Sequence, residues 1–307
     1  DGGSGLSSAM YRSHFGLREP PFGITPDTSF TFSCASHQEA LNTLLVAIAN
    51  GEGFIKIVGE VGTGKTLLCR RFLSTLDDRY VTAYIPNPYL EPRALMLALA
   101  EELRLAVDVG AEQHQILKQI NHALLNFARE GKHVVVCLDE AQAMPLESLE
   151  ALRLLSNLET EKRKLLQVVL FGQPELDDKL SQESVRQLRQ RITFHHRLDS
   201  LSRKEVEYYV AHRLRVAGYV GQPLFSARAL RLVYRATHGV PRLVNIVAHK
   251  CLLVVYGEGG HEVGARHVRM AADDTPSARQ LQTLWWRVVP SLAVAAAGGA
   301  WLLLQMR

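Results

Sequence analysis

Two kinds of apolar pattern alternate over the first two hundred positions. Short runs that are apolar at nearly every position, FIKIV (54–58), VTAYIPN (81–87), HVVVCLDE (133–140), LLQVVLFG (165–172) and ITFHHRL (192–198), predict buried strands. Between them lie longer stretches with apolar residues every three or four positions, at 37–50, 66–76, 93–103, 114–131 and 146–159, which predict helices. Strands separated by helices imply a parallel sheet covered on both faces, so residues 10–200 are expected to form one α/β domain.

Beyond residue 200 only the helical period remains. SRKEVEYYVAHRLRVAG, SARALRLVYRATHG, PRLVNIVAHKCLLVVYGEG and GARHVRMAADD predict a small all-α domain over 201–274. A polar stretch follows, and 275–287 is assigned as a linker. Residues 288–304 then carry 17 uncharged positions. At about 1.5 Å per residue such a helix covers roughly 25 Å, against a hydrocarbon core of about 30 Å, so it reaches across a locally thinned bilayer. Trp285, Trp286 and Trp301 stand near its ends and Arg287 on the side joined to the rest of the chain, the placement expected of a single-pass anchor. The other reading of this segment is a buried or partner-facing helix rich in Ala and Gly.

Composition changes this picture little. An apolar fraction of 47% in 307 residues fills a sizeable core, and disorder is excluded as the general state. The 35 Lys and Arg against 31 Asp and Glu leave +4, well short of the basic excess that marks a nucleic-acid binder. Cys34, Cys69, Cys137 and Cys251 are far apart, without metal-ligand spacing, and read as buried thiols of a reducing compartment. Residues 1–9 (DGGSGLSSA) resemble a tag or linker ahead of Met10, and no export signal follows, so folding in the cytoplasm is expected.

The chemistry is concentrated after the first strand. GEVGTGKT (59–66) satisfies G-x-x-x-x-G-K-[ST], a phosphate-binding loop, and lies between a predicted strand and a predicted helix. Backbone N–H groups from Gly59, Glu60, Val61, Gly62, Thr63 and Gly64 into Thr66 and Leu67 would cradle the phosphates of ATP, helped by the helix N-terminus. Lys65 would reach the β- and γ-phosphates and Thr66 would place its hydroxyl on Mg²⁺. The third strand ends in Asp139-Glu140. Asp139 would hold Mg²⁺ through water, and Glu140 would orient and deprotonate the attacking water. His195 and His196 are read as ordinary strand residues. Tyr11, Phe15 and Phe22 are candidates either to frame the adenine or to pack on the sheet.

The order GEVGTGKT, VVVCLDEAQ, LFGQPEL, LRQRI, HGVPRLVN, with a helical domain after the sheet, resembles an AAA+ ATPase. The opening FGLREPPFGITPD, the DEAQ motif and the terminal apolar helix are similar to the ExeA-type, or general secretion pathway protein A, branch. The resemblance covers essentially everything after Met10. It implies a three-layer αβα core with a helical lid and a C-terminal apolar helix. It also implies that Gln173 is sensor 1, that Arg191 is an arginine finger donated to a neighbouring copy, and that Arg242 in GVPR is sensor 2. Arg186, Arg189 and Arg197 are alternatives for the finger, and Asn87 is a candidate restraint on Glu140.

Members of that branch join a cytoplasmic ATPase, through one membrane helix, to a periplasmic peptidoglycan-binding domain. Only Gln305, Met306 and Arg307 follow the apolar run here, so the nearer likeness is to MshM-type ATPases of mannose-sensitive haemagglutinin type IV pilus biogenesis, which lack the wall-binding domain. The implied protein hydrolyses ATP to ADP as an oligomer at the cytoplasmic face of the bacterial inner membrane, with pilus or secretion assembly proteins as partners. The alternative is a DNA-transposition ATPase whose lid arginines (Arg213, Arg215, Arg228, Arg231, Arg235) bind phosphate. The terminal apolar helix argues against nucleic acid as the main partner.

Overall fold

A computed structural model describes residues 11–23, 35–108, 110–155, 159–160, 163–276 and 278. Two compact units emerge, one spanning Ser33–Asp199 and the other made of the N-terminal segment together with everything from Ser200. The proposed linker and membrane helix (275–287 and 288–304) lie almost wholly outside the described residues. Among the described residues no helix is long and apolar enough to cross a membrane.

The α/β unit runs α1 (Ala35–Ala49), β1 (Phe54–Gly59), α2 (Lys65–Thr75), β2 (Tyr80–Ile85), α3 (Pro92–Glu102), α4 (Gln113–Arg129), β3 (His133–Leu138) and α5 (Leu146–Leu155). A two-residue hairpin (β4, Glu159–Thr160; β5, Arg163–Lys164) leads to β6 (Leu166–Gly172), α6 (Glu175–Leu180), α7 (Arg186–Arg189) and β7 (Ile192–Leu198). The five long strands form one parallel sheet in the order β2-β3-β6-β1-β7.

Alternate strand residues serve opposite faces, which is why the central strands β1, β3 and β6 are apolar at nearly every position. Val135 and Cys137 of β3 pack with Leu44, Leu68 and Phe72 from α1 and α2. Val134, Val136 and Leu138 pack with Leu99, Ile116 and Leu124 from α3 and α4. Each such side chain, fully buried, contributes about 1.5–3 kcal/mol.

The order places three strand ends side by side. β6 lies between β3 and β1, with Leu138 paired to Leu170 and Val58 to Gly172. The carboxyl ends of β3, β6 and β1 therefore deliver Asp139, Gln173 and the 59–66 loop to one edge of the sheet.

Two expectations are corrected. The helix predicted over 146–159 is described over Leu146–Leu155, and its last expected position, Glu159, instead lies in the β4–β5 ladder opposite Lys164. The helices α6 and α7 are too short for a periodic signal and carry no prediction.

Residues 11–23, expected in the α/β domain, belong instead to the helical unit. That unit contains α8 (Arg203–Val216), α9 (Ala227–Thr237), α10 (Pro241–Gly257) and α11 (Ala265–Asp273). Tyr11, Phe15, Leu17 and Phe22 are buried. Tyr11 meets the His249 ring edge-on at 5.6 Å, Phe22 meets Phe225 at 6.1 Å, and the Arg18 N–H donates to Ala217 O at 2.8 Å. These aromatics are core residues of the helical unit. Arg213 is used in the same way: its guanidinium is buried and donates to Pro21 O (2.5 Å) and Tyr209 Oη (3.0 Å). It is unavailable for phosphate.

Helix starts follow local chemistry. Ser202 and Glu205 form a reciprocal capping box at α8. Pro241 occupies the first turn of α10, where its missing N–H costs nothing. Gly239 just before it has φ +74°, and a Cβ there would lie 1.9 Å from Leu201 O, so only glycine fits.

Candidate nucleotide site

The 59–66 loop joins β1 to α2, and α2 begins immediately after Gly64, which has φ +95°. A left-handed residue at this point turns the N–H groups toward one centre, a conformation that costs a side-chain-bearing residue roughly 1–2 kcal/mol. A Cβ on Gly64 would also meet His37 Nε2 at 2.8 Å.

Lys65 is 5% exposed, and its ammonium donates to Gly59 O (2.7 Å) and Glu60 O (3.0 Å). Burial lowers its pKa below the ordinary lysine value, while the carboxylates of Glu140, Asp139, Glu60 and Glu175 act in the opposite direction. The Thr66 hydroxyl donates to Asp139 Oδ2 at 2.6 Å. Asp139 is buried; its Oδ1 accepts the Glu140 N–H at 3.0 Å, and the Tyr84 hydroxyl lies 3.4 Å from Oδ2. Burial, followed by the Asp139 charge, pushes the Tyr84 phenol up to about 12.

The two residues expected to hold Mg²⁺ are thus adjacent, one from each side of the site. A hydroxyl beside a carboxylate suits a small hard cation that keeps most of its waters and takes its remaining ligands from phosphate oxygens. Among the described residues no cluster of three or more His, Cys, Asp or Glu is placed to hold a metal by itself, so the protein's share would be this pair.

Glu140 follows with φ 55°, ψ 38°, a left-handed backbone at a non-glycine residue. Its Oε2 accepts from Gln142 Nε2 (2.5 Å) and Gln173 Nε2 (3.0 Å). Gln173, expected at the end of the fourth strand, is therefore beside the proposed base. Arg197, near the end of β7, lies 3.9 Å from Glu60 of the loop.

With this geometry, comparisons with known proteins become decisive. Residues 48–180 match the AAA domain family. Over 289 residues the chain is 42% identical to general secretion pathway protein A of Aeromonas hydrophila, an alignment that covers 94% of this chain and 52% of that protein. The chain carries an AAA domain and is a relative of general secretion pathway protein A. It spans about half of that relative's length. Among solved structures, Cdc6p of Pyrobaculum aerophilum aligns at 17% identity with a TM-score of 0.63, covering 81% of this chain and 71% of that one. The Aeropyrum pernix ORC2 protein in its ADPNP-ADP complexes aligns at 18% with 0.57 (80% and 71%), and the Thermotoga maritima RuvB Holliday junction branch migration motor at 15% with 0.55 (80% and 73%). Identities this low establish the AAA fold alone.

The remaining expected residues of the AAA domain and lid are more scattered. Arg191 follows α7 and is half-buried, whereas Arg186 pairs with Glu183 at 3.1 Å and Arg189 is exposed. Arg242 is exposed in the first turn of α10. Asn87 is exposed and its Oδ1 accepts the Tyr89 N–H at 3.3 Å, while the hydrogen bonds on Glu140 come from Gln142 and Gln173. Asn87 is thus not the restraint on Glu140. Gln142 and Tyr84 were not expected at the site. The DEAQ motif holds the signal for Gln142; Tyr84 is the penultimate residue of β2, and nothing in the local pattern marks it.

Proposed function

We propose that this chain is a Mg²⁺-dependent ATPase that works as an oligomer at the cytoplasmic face of the bacterial inner membrane, where it assists assembly of a type IV pilus or a related secretion system. The observation that carries the catalytic part is the meeting of Thr66 and Asp139 at 2.6 Å with Glu140 next in sequence, directly beside the phosphate loop. Similarity to general secretion pathway protein A supports the assembly role, and the 288–304 apolar run supports the anchor.

In this reading Lys65 leaves the loop carbonyls to neutralise the β- and γ-phosphates, and the loop N–H groups fix their position. Thr66 and Asp139 would hold Mg²⁺, which supplies positive charge at the phosphate oxygens. Glu140 orients a water in line with the γ-phosphate and takes its proton. Gln173 shares that water's surroundings, Arg191 completes the site of a neighbouring copy, and Arg242 reports the nucleotide to the lid. An MshM-type pilus role is the most specific form of the proposal.

The test is ATP turnover by the purified full chain with and without Mg²⁺, beside Glu140→Gln. Turnover that survives this substitution refutes the assignment. Fractionation of cells tests the location: a chain with 285–307 intact that stays wholly in the soluble fraction has no membrane anchor. A second reading, action on nucleic acid, is favoured by Arg228, Arg231 and Arg235, exposed at helical spacing along α9. ATP-dependent, salt-sensitive binding to duplex DNA would promote it.

A further inference from the structure

We propose that Gln142 is the positioning residue for Glu140, tying the carboxylate to the carboxyl end of β6. This rests on Glu140 being the base of an ATPase site.

Glu140 has a backbone that most residues avoid, at φ 55°. A strained conformation persists only where its surroundings over-determine it. The surroundings here are a closed ring of three hydrogen bonds. Gln142 Nε2 donates to Glu140 Oε2, Gln142 Oε1 accepts the Gln173 N–H at 3.0 Å, and Gln173 Nε2 returns to the same Glu140 Oε2. Both amides bind one oxygen. Among the described residues Glu140 Oε1 has no protein partner, and it is the oxygen left to receive a proton from water.

The far side of the ring is itself fixed. Lys179 in α6 donates to Gln142 O at 2.7 Å and to Met144 O at 2.6 Å, so the turn carrying Gln142 is clamped to the helix that begins two residues after Gln173. Gly172 leaves the space: a Cβ there would meet Leu176 Cδ2 at 2.6 Å and Gln142 Oε1 at 3.4 Å. The side chain must donate at one end and accept at the other. Only an amide does both without charge; glutamate has no donor when ionised, and asparagine is one methylene short.

The experiment uses the full chain at saturating ATP and Mg²⁺ and measures kcat, KM and their pH dependence for wild type, Glu140→Gln, Gln142→Ala and Gln142→Glu. Gln142→Ala is expected to lower kcat by about tenfold to a hundredfold with KM within about twofold, the split produced by a misdirected base. Gln142→Glu is nearly isosteric and is expected to be impaired at neutral pH, then to recover as pH falls. Its paired carboxyls come to share one proton, and a protonated carboxyl again donates to Glu140. Wild type has no such recovery. Unchanged kcat in Gln142→Ala, or a Gln142→Glu profile parallel to wild type, overturns the inference. Loss of turnover in Glu140→Gln together with either result leaves the ATPase reading standing and removes only the role of Gln142. A wild-type chain without turnover removes both.

Discussion

Thr66 Oγ1 and Asp139 Oδ2 lie 2.6 Å apart although 73 positions separate them in sequence. The contact exists because β6 brings the ends of β1 and β3 to one edge. Asp139→Asn keeps the shape and removes the charge. It is expected to raise the Mg²⁺ concentration for half-maximal ATP turnover by about tenfold or more. Nucleotide affinity in EDTA, measured by fluorescence titration, should hardly move, and a parallel loss there would count against a metal-specific role.

Lys65 gives a prediction with a definite sign in pH. Burial holds its folded pKa below the ordinary lysine value of 10.5, so the unfolded chain binds this proton more tightly. The cost to the fold is fully present below the folded pKa and is relieved as pH rises toward the unfolded one. Lys65→Met should therefore raise Tm at pH 7 without nucleotide. The advantage over wild type should shrink near pH 10, while ATP binding is lost. Thermal melts across pH read the sign directly.

Arg191→Ala is expected to reduce turnover by about a thousandfold or more if it neutralises transition-state charge, with ATP affinity nearly intact. Mixing it with Lys65→Ala copies should restore part of the activity, since each defect is then complemented by a neighbour. Absence of recovery in the mixing assay argues for action within one copy.

Gly239→Ala tests the helical unit. With φ +74° and Leu201 O only 1.9 Å from the new Cβ, the start of α10 must shift. The expected cost is about 2 kcal/mol or more, read by chemical denaturation monitored on the helical unit.

Much of this was legible in the sequence for particular reasons. The central strands β1, β3 and β6 carry side chains buried on both faces, so their apolar runs stand out, and GEVGTGKT and Asp139-Glu140 sit at the ends of β1 and β3 as expected. Local pattern failed where a long-range partner decides the outcome. Residues 11–23 show aromatics and prolines but not which surface they cover. Gln142 is marked in the sequence only as the last residue of DEAQ, because its role depends on Gln173, 31 positions away. Asn87 had a suitable strand-end position, yet its oxygen is used locally by Tyr89.

The hydrogen bond from Arg213 to Pro21 O closes a span of 192 residues, and within it lies the whole α/β unit. During synthesis residues 11–23 leave the ribosome ahead of the α/β unit, and their aromatic side chains wait for α8 to α11 before they are covered. The α/β unit is complete by then, so the helical body closes after it around a segment made before it. Ribosome-associated chains stopped after residue 199 would thus expose Tyr11, Phe15 and Phe22, an opening for chaperones that the finished protein no longer presents.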